Sequence, residues 1–417
     1  MAGFDARVLL GDRLVGFLHC DPNRLGLSFR YCEEWRAAGF PLSPALPLDG
    51  RFSDIDSTAF FENTLPEGWI RTRLSKLTRI DESSVAPLCL YLRSDLPGAL
   101  RLEYDQLPDR AEEDFREVTL EEIEARLDAL PLNPIEIWDG RFRVFAAGAQ
   151  PKLTMLKLDG KYGFATGGGL ASDRILKFET SCPAHLLLNE HLTLSLARLS
   201  GFDAADARLI ALGRHRALEV IRFDRRVDQT ENGVRVRRRH VIDACQSLGL
   251  LSFFKYEDEH PDGISLNRLS SLAQFMADPR AFRLELFRRM VFCLLAGCSD
   301  MHGKNISFAR TSGGFMPAPV YDLANARIID GIDSSLAMSV GGCRRFEDID
   351  ASGVLQEANG MGLTMDEARA ALREVIDRVE GALDEAMPPD FAADEERRYA
   401  ERWRNDVASA AARLLSS

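Results

Sequence analysis

A polar heptad, Ser299-Asp300-Met301-His302-Gly303-Lys304-Asn305, interrupts apolar sequence, and Ala318-Pro319-Val320-Tyr321-Asp322-Leu323 follows one short hairpin later. The segment before it, Phe287 to Gly297, reads as a buried helix. A buried helix that runs into a polar loop fixes that loop's backbone, so the rest of the chain must fold around it. Asp300 and Asn305 have four residues between them. A carboxylate is a group that can take a proton, and an amide oxygen is one that can hold a metal. Asp322, after its own apolar stretch, adds a second hard-oxygen ligand. Phosphoryl transfer asks a protein for little else beyond a lysine and rigid positioning.

Alone, such a stretch is also a common polar loop. His302, with Cys293 and Cys298 nearby, raises a metal site, although the helical setting makes both cysteines small core residues. Conjunction favours chemistry, because further parts occur in the order protein kinases use them. Lys177, in Arg-Ile-Leu-Lys-Phe, ends an apolar strand, where a kinase places the lysine that binds nucleotide phosphates. Glu190, on the following helix, is its natural partner. Two segments compete to cover the phosphates. Gly167-Gly168-Gly169 is glycine-dense but reads as a hairpin tip. The run from Ala146 through Ala147, Gly148, Ala149, Gln150 and Pro151 to Lys152 has small side chains that let backbone N–H groups approach anions. Backbone around Ile221–Phe223 could bind an adenine edge, or Arg222-Phe223-Asp224-Arg225 is a strand exit with a surface ion pair.

The chain has 417 residues, 46% hydrophobic and 28% charged, which suits two or three packed subdomains. No apolar run reaches membrane-span length and the first residues lack a secretory core, so a cytoplasmic protein is expected. Eight scattered cysteines without Cys-x-x-Cys pairs read as reduced core residues. A net charge of −12 argues against a dedicated nucleic-acid binder. The one basic tract, Arg235 to His240, follows the hairpin signal Asn232-Gly233, and its alternation with Val234 and Val236 suits a solvated strand face. Three segments are expected: 1–105, mixed strands and helices; 106–225, strands with one helix in the manner of a kinase small lobe; and 226–417, mostly helical.

Taken together, these pieces resemble the HipA family of toxin serine/threonine kinases along nearly the whole chain. The carrying motifs are Ser43-Pro44-Ala45-Leu46-Pro47-Leu48, the run from Phe60 to Gly68, and Gly98-Ala99-Leu100 after Asp95. In the core they are Gly148-Ala149-Gln150-Pro151-Lys152-Leu153, Ile175-Leu176-Lys177, Asn189-Glu190, Arg222-Phe223-Asp224-Arg225, the run from Cys245 to Gly249, Lys255-Tyr256-Glu257, Asp300 to Asn305, and Tyr321-Asp322. The resemblance implies an α+β, bilobal, protein-kinase-like fold related to lipid kinases, with an added N-terminal α/β subdomain and a mostly helical C-terminal lobe. It implies ATP and Mg2+ as cofactors and Asp300 as catalytic base. Asn305 and Asp322 become metal ligands, Lys177 a phosphate contact, and the Ala147–Lys152 loop the phosphate cover. His302 and Lys304 shape the catalytic loop and contact phosphate. Implied partners are a HipB-like helix-turn-helix antitoxin, operator DNA reached through it, and a protein substrate such as an aminoacyl-tRNA synthetase.

One position departs from the family pattern. Where the family carries an autophosphorylated serine before the small-residue run, this chain has Phe145, so self-inactivation at that position is not expected. Thr154 is the nearest hydroxyl. Two other readings compete: a catalytically weak kinase fold serving as an antitoxin-binding corepressor, and a small-molecule phosphotransferase of the aminoglycoside type. Retention of Asp300, Asn305, Asp322 and Lys177 disfavours the first. The N-terminal signatures disfavour the second.

Overall fold

The computed structural model describes residues 3–21, 26–93, 95–107, 114–144, 150–167, 169–179, 185–231, 233–257, 263–388 and 393–416. The chain divides into two compact units, Met1–Phe178 with Ile210–Ser252, and Glu179–Leu209 with Phe253–Ser417. This division differs from the three expected segments. Residues 1–105 share a unit with the sheet that follows them, and the helix after Lys177 belongs to the other unit.

The first unit opens with an antiparallel sheet ordered Leu27–Tyr31, Arg13–Cys20, Phe4–Leu10, Leu100–Glu103. Ala6 and Val8 are fully buried while Asp5 and Arg7 face outward, the alternation of a half-covered strand. The helix Asp54–Glu62, started by a Ser53–Asp56 capping box, lies on this sheet. There Thr58 accepts from the Leu27 N–H at 3.1 Å and Phe61 meets Phe29 at 5.8 Å.

The motifs of this unit, distant in sequence, meet in space. Ser43 Oγ donates to the Gln246 carbonyl at 2.7 Å, and the Gln246 side chain donates to the Phe60 carbonyl at 2.9 Å. Asn63 Nδ2 donates to the Leu250 carbonyl at 2.8 Å. Buried amides and hydroxyls need such partners, so these residues fix how the N-terminal segment docks on the Ala244–Leu248 helix.

A second, six-stranded sheet runs in the order Ala207–Leu212, His215–Ile221, Arg174–Phe178, Lys152–Leu158, Lys161–Thr166, Asp114–Glu117. One face is apolar: Leu153, Met155, Leu176, Phe178 and Ala217 pack with Trp138 and with Ile123 and Leu127 of the capped helix Leu120–Asp128. Alternation therefore turns Lys152 and Lys177 to the opposite face. Arg141–Phe142 pairs with Ile137–Trp138 in a short ladder, and residues 145–149 lie outside the described set. The arginine tract forms the expected hairpin, Arg225–Thr230 with Gly233–Arg238, its Arg235 and Arg237 exposed and Val236 buried.

The second unit is helical around Pro279–Ala296. Asp278 caps this helix by accepting from the N–H groups of Arg280 and Ala281, with Pro279 in its first turn. Eight consecutive residues from Arg289 to Ala296 are buried, as expected of a helix enclosed on all sides. Leu186–Leu199, Met365–Ala382 and Asp394–Ser416 complete the bundle with it. Gly297 ends the central helix at φ +73°, a left-handed cap that turns the chain into the polar loop.

Candidate active site

The loop is held before its side chains are considered. Its Ser299 carbonyl accepts from the Ala337 N–H at 2.8 Å, and the Gly303 N–H donates to the Lys255 carbonyl at 2.9 Å. Asn305 folds back, its N–H donating to the His302 carbonyl at 2.9 Å and its Nδ2 to the Asp300 carbonyl at 3.0 Å. With Nδ2 spent on backbone, Oδ1 is left as the amide's ligand atom. Behind the loop, Phe202, Phe292, Met301, Ile306 and Leu323 leave a cavity of only about 20 Å³, so the loop rests on packed side chains.

Asp300 keeps 59% of its side-chain surface exposed, yet its carboxyl is raised above the ordinary range. Partial withdrawal from water is the largest cause, and the like charge of Asp322 is the next. Tyr256 opposes both by donating to Asp300 Oδ1 at 3.1 Å. His302 lies with Nε2 3.8 Å from Asp300 Oδ2, buried, its ring edge-on to Tyr256 at 5.1 Å and its Nδ1 accepting from the Lys304 N–H at 3.2 Å. This makes His302 a shaper of the loop. Cys293 and Cys298 are buried thiols without a disulfide, and no cluster of three metal-binding His, Cys, Asp or Glu occurs among the described residues.

The Ser307–Thr311 and Gly314–Pro317 hairpin brings the chain back to Asp322. Tyr321 OH donates to the Lys304 carbonyl at 2.7 Å, stitching the returning segment to the loop. Asp322 itself sits at φ +56°, where a side chain other than glycine is uncommon and aspartate is among the more tolerant. A backbone held in that region marks a position fixed by its surroundings. A carboxylate whose proton affinity is raised by a second one, beside an amide oxygen, suits a hard divalent cation.

In the first unit, Lys177 and Lys152 are direct cross-strand partners, both buried, on one face of the sheet. Lys177 is thus no exposed strand end: it is the penultimate residue of an interior strand. Two lysine side chains on one face of the sheet concentrate positive charge there, which suits a polyanionic group. Gln150 Nε2 donates to the Phe178 carbonyl at 3.2 Å and anchors the exit of the small-residue run. Ala147, Gly148 and Ala149, with Phe145, lie outside the described residues. Thr154 is buried, its hydroxyl donating to the Arg143 carbonyl at 3.0 Å.

Arg222, Asp224 and Arg225 require a correction. The strand ends at Ile221, Phe223 lies in the turn beyond it, and the ion pair is buried. Arg222 grips Asp224 through two bonds of 3.0 and 2.9 Å, and Arg225 reaches Asp95 at 3.2 Å and the Gly98 carbonyl at 2.7 Å. Glu190 is buried on the helix Leu186–Leu199 of the second unit.

Comparison with known proteins completes the assignment. The family model for the HipA-like C-terminal domain matches residues 144–383, and that for the HipA N-terminal domain matches residues 6–103. The serine/threonine-protein kinase toxin HipA of Shewanella oneidensis is 33% identical over 395 residues, 91% of this chain and 89% of that protein. The chain belongs to the HipA family of kinases. The solved complex of Shewanella oneidensis HipA, HipB and operator DNA matches 99% of this chain and 97% of that one, with a TM-score of 0.87 and 32% identity. Y4mE of Sinorhizobium fredii, a candidate kinase, is 29% identical over 86% of each chain. No helix among the described residues of this HipA-family chain is long and apolar enough to cross a membrane. Sequence reasoning quoted Tyr256 only as part of a HipA-family motif; its contact with Asp300 gives it a role. Asn325 carried no signal at all, since a lone asparagine after Asp322 resembles any turn residue.

Proposed function

We propose that the chain is a toxin kinase that transfers the γ-phosphate of ATP to a hydroxyl of a protein substrate and so arrests growth. The observation that carries this reading is the Asp300–Asn305–Asp322 constellation, braced by backbone bonds at every turn. Asp300 takes the hydroxyl proton, and its raised carboxyl brings it closer to the acceptor strength that task needs. Mg2+, when bound, would supply charge neutralisation at the phosphates. Asn305 Oδ1 and the Asp322 carboxylate would hold it. Lys177 and Lys152 hold phosphate oxygens, with Gln150 fixing the exit of the covering run that contains Ala147, Gly148 and Ala149. Lys304 and His302 keep the catalytic loop in shape, Glu190 is the residue to orient Lys177, and backbone at Ile221 and Phe223 receives the adenine edge. The fold on this reading is α+β and kinase-like, with the N-terminal segment 1–105 as an addition to it.

Its partner on this reading is a small helix-turn-helix antitoxin of the HipB kind, through which the acidic chain reaches operator DNA. The likeness to a solved HipA–HipB–DNA complex supports that partner. The cytoplasm is the compartment such a system requires, and a translation component such as an aminoacyl-tRNA synthetase is the substrate class.

Phosphoproteomics of cells expressing the chain, against an Asp300→Asn control, tests the proposal. A phosphosite present only with the intact aspartate, together with growth arrest, is expected. Full arrest by a soluble Asp300→Asn protein would refute it.

A further inference from the structure

The C-terminal helix Asp394–Ser416 lies beyond the residues matched by the HipA-like domain model, which end at 383. Its buried side makes polar contacts to the segment just after Asp322. Asn325, fully buried, is the centre. Its backbone N–H donates to Asn189 Oδ1 at 2.7 Å, and its carbonyl accepts from Asn189 Nδ2 at 2.9 Å. Two opposed bonds from one amide to one residue fix both translation and tilt, much as a pair of strand residues fix one another. Asn189 immediately precedes Glu190 on the helix Leu186–Leu199.

The C-terminal helix closes this arrangement from two positions. Tyr399 OH accepts from Asn189 Nδ2 at 2.8 Å. Asp406 Oδ2 accepts from Asn325 Nδ2 at 2.7 Å and from Arg327 Nε and Nη2 at 2.9 and 2.7 Å. Arg327 in turn donates to the Leu294 and Leu295 carbonyls at the end of the central helix, at 2.7 and 2.8 Å. Trp403 Nε1, from the same helix, donates to Thr193 Oγ1 at 3.2 Å. The Ala326 N–H also donates to the Gly297 carbonyl at 2.8 Å, the point where the chain leaves for Asp300. Three elements therefore converge on Asn325: the helix of Glu190, the exit of the catalytic-loop helix, and the segment carrying Asp322.

We infer that Asn189, Asn325, Tyr399 and Asp406 form a positioning latch, by which the C-terminal helix holds the Asp322 segment and the Glu190 helix in their working register. The inference rests on the kinase reading of those two acids. Apolar packing alone would join the same helices but would allow sliding by a side-chain width. A satisfied buried polar network admits one arrangement, and that selectivity is what a metal ligand at positive φ requires. None of the four latch residues touches substrate or metal in this account; they act through Asp322 and Glu190.

The test uses the full chain with Tyr399→Phe and Asp406→Asn, which keep shape. Asp384→Asn serves as control, because it breaks a contact of the same helix, with Arg404, at the surface. Three readouts are taken on protein that retains a cooperative melt: kcat and KM for ATP, Mn2+ binding with ADP by electron paramagnetic resonance, and hydrogen exchange of residues 186–199 and 322–329. Asp406→Asn should lower kcat about tenfold, the worth of one charged hydrogen bond, with little change in KM. It should weaken Mn2+ binding similarly and speed exchange in both segments. Tyr399→Phe should do the same to a smaller degree, and Asp384→Asn should change none of them. Wild-type exchange rates in both segments of Asp406→Asn would overturn the latch, whatever the activity. If the wild-type chain transfers no phosphate, the kinase reading fails, and exchange and Mn2+ binding still decide the latch.

Discussion

The buried charges of the first unit allow a magnitude to be worked out before measurement. Asp95 accepts from Arg225 Nη2 at 3.2 Å and from the Ser172 N–H at 3.1 Å, and lies 3.7 Å from Arg222 Nη1. Asp224 takes Arg222 through both oxygens and also accepts from the Gly98 N–H at 3.0 Å. Burial would push the Asp224 carboxyl up, but the two guanidiniums overrule it and hold it well below the ordinary range. Asp95→Asn keeps the shape and removes one of the anions facing the buried Arg222 and Arg225. Leaving a buried charge uncompensated costs about 3–5 kcal/mol. The asparagine oxygen still accepts from Arg225, so the low end, about 3 kcal/mol, is expected. Against a typical total of about 5–15 kcal/mol this is a large fraction.

Urea unfolding followed by tryptophan fluorescence measures it, because Trp35, Trp69 and Trp138 belong to the first unit and only Trp403 to the second. Breaking the exposed Arg345–Glu347 pair with Glu347→Gln should leave the transition unmoved, as solvated pairs contribute little. The pH dependence has a definite sign. A carboxyl depressed in the folded state contributes fully above the unfolded value near 4, and loses that contribution as pH falls below it. The intact unit should therefore weaken below about pH 4. A loss under about 1 kcal/mol for Asp95→Asn at pH 7 would show that water or relaxation screens the cluster, and would refute the reasoning.

Three further outcomes are expected. Asp322→Asn should cut phosphoryl transfer by at least about 10²-fold while leaving the melting temperature near that of wild type, checked by radiolabel transfer and calorimetry. Tyr256→Phe removes a donor that favours the Asp300 carboxylate, so its carboxyl should rise further and the acid limb of the pH–rate profile should move to higher pH; an unmoved limb would detach Tyr256 from the base. Incubation with ATP followed by peptide mass spectrometry should find no stoichiometric phosphate within residues 143–156, since Phe145 has no hydroxyl and that of Thr154 is buried and bonded; a phosphate there with loss of activity would show a self-inactivating switch at another residue.

Much of the local structure was legible because local rules decide it. The capped start at Thr119 and the helix end at Gly297 are written in a few adjacent residues. The strand Lys152–Leu158 has a local signature too, apolar Leu153 and Met155 alternating with Lys152 and Thr154. The loop from Asp300 to Asn305 was legible for the same reason, its spacing being a property of one short segment. What was not legible depends on partners remote in sequence. Arg222 to Arg225 looks like a surface ion pair until Asp95 and Gly98 arrive from the N-terminal segment to bury it. Helix and strand patterns say which face is apolar, but they do not say which polar groups meet.

That distinction bears on how the site is built. The residues proposed to do the chemistry are few and lie in short motifs, whereas the buried polar ties around them are spread along the chain: Asn189, Asn325 and Asp406 in one unit, Asp95, Ser172 and Arg225 in the other. Five of these six are buried and Asp406 is partly buried, and their bonds are made to backbone, to charged groups or to neighbouring polar side chains. A polar group buried in this way is costly unless satisfied, and each is satisfied in one geometry only. Substitution at such positions therefore has two separable effects, lost stability and lost register. Asp95 lies in the unit of the paired lysines and Asp406 in the unit of the catalytic loop, so the two variants separate them. Asp95→Asn should be read mainly in unfolding free energy, and Asp406→Asn mainly in kcat and metal affinity on a chain that still melts cooperatively. If both variants moved only stability, the buried polar residues would be reduced to structural ties, and the register of the metal segment would have to be set by apolar packing around Leu323 and Phe292.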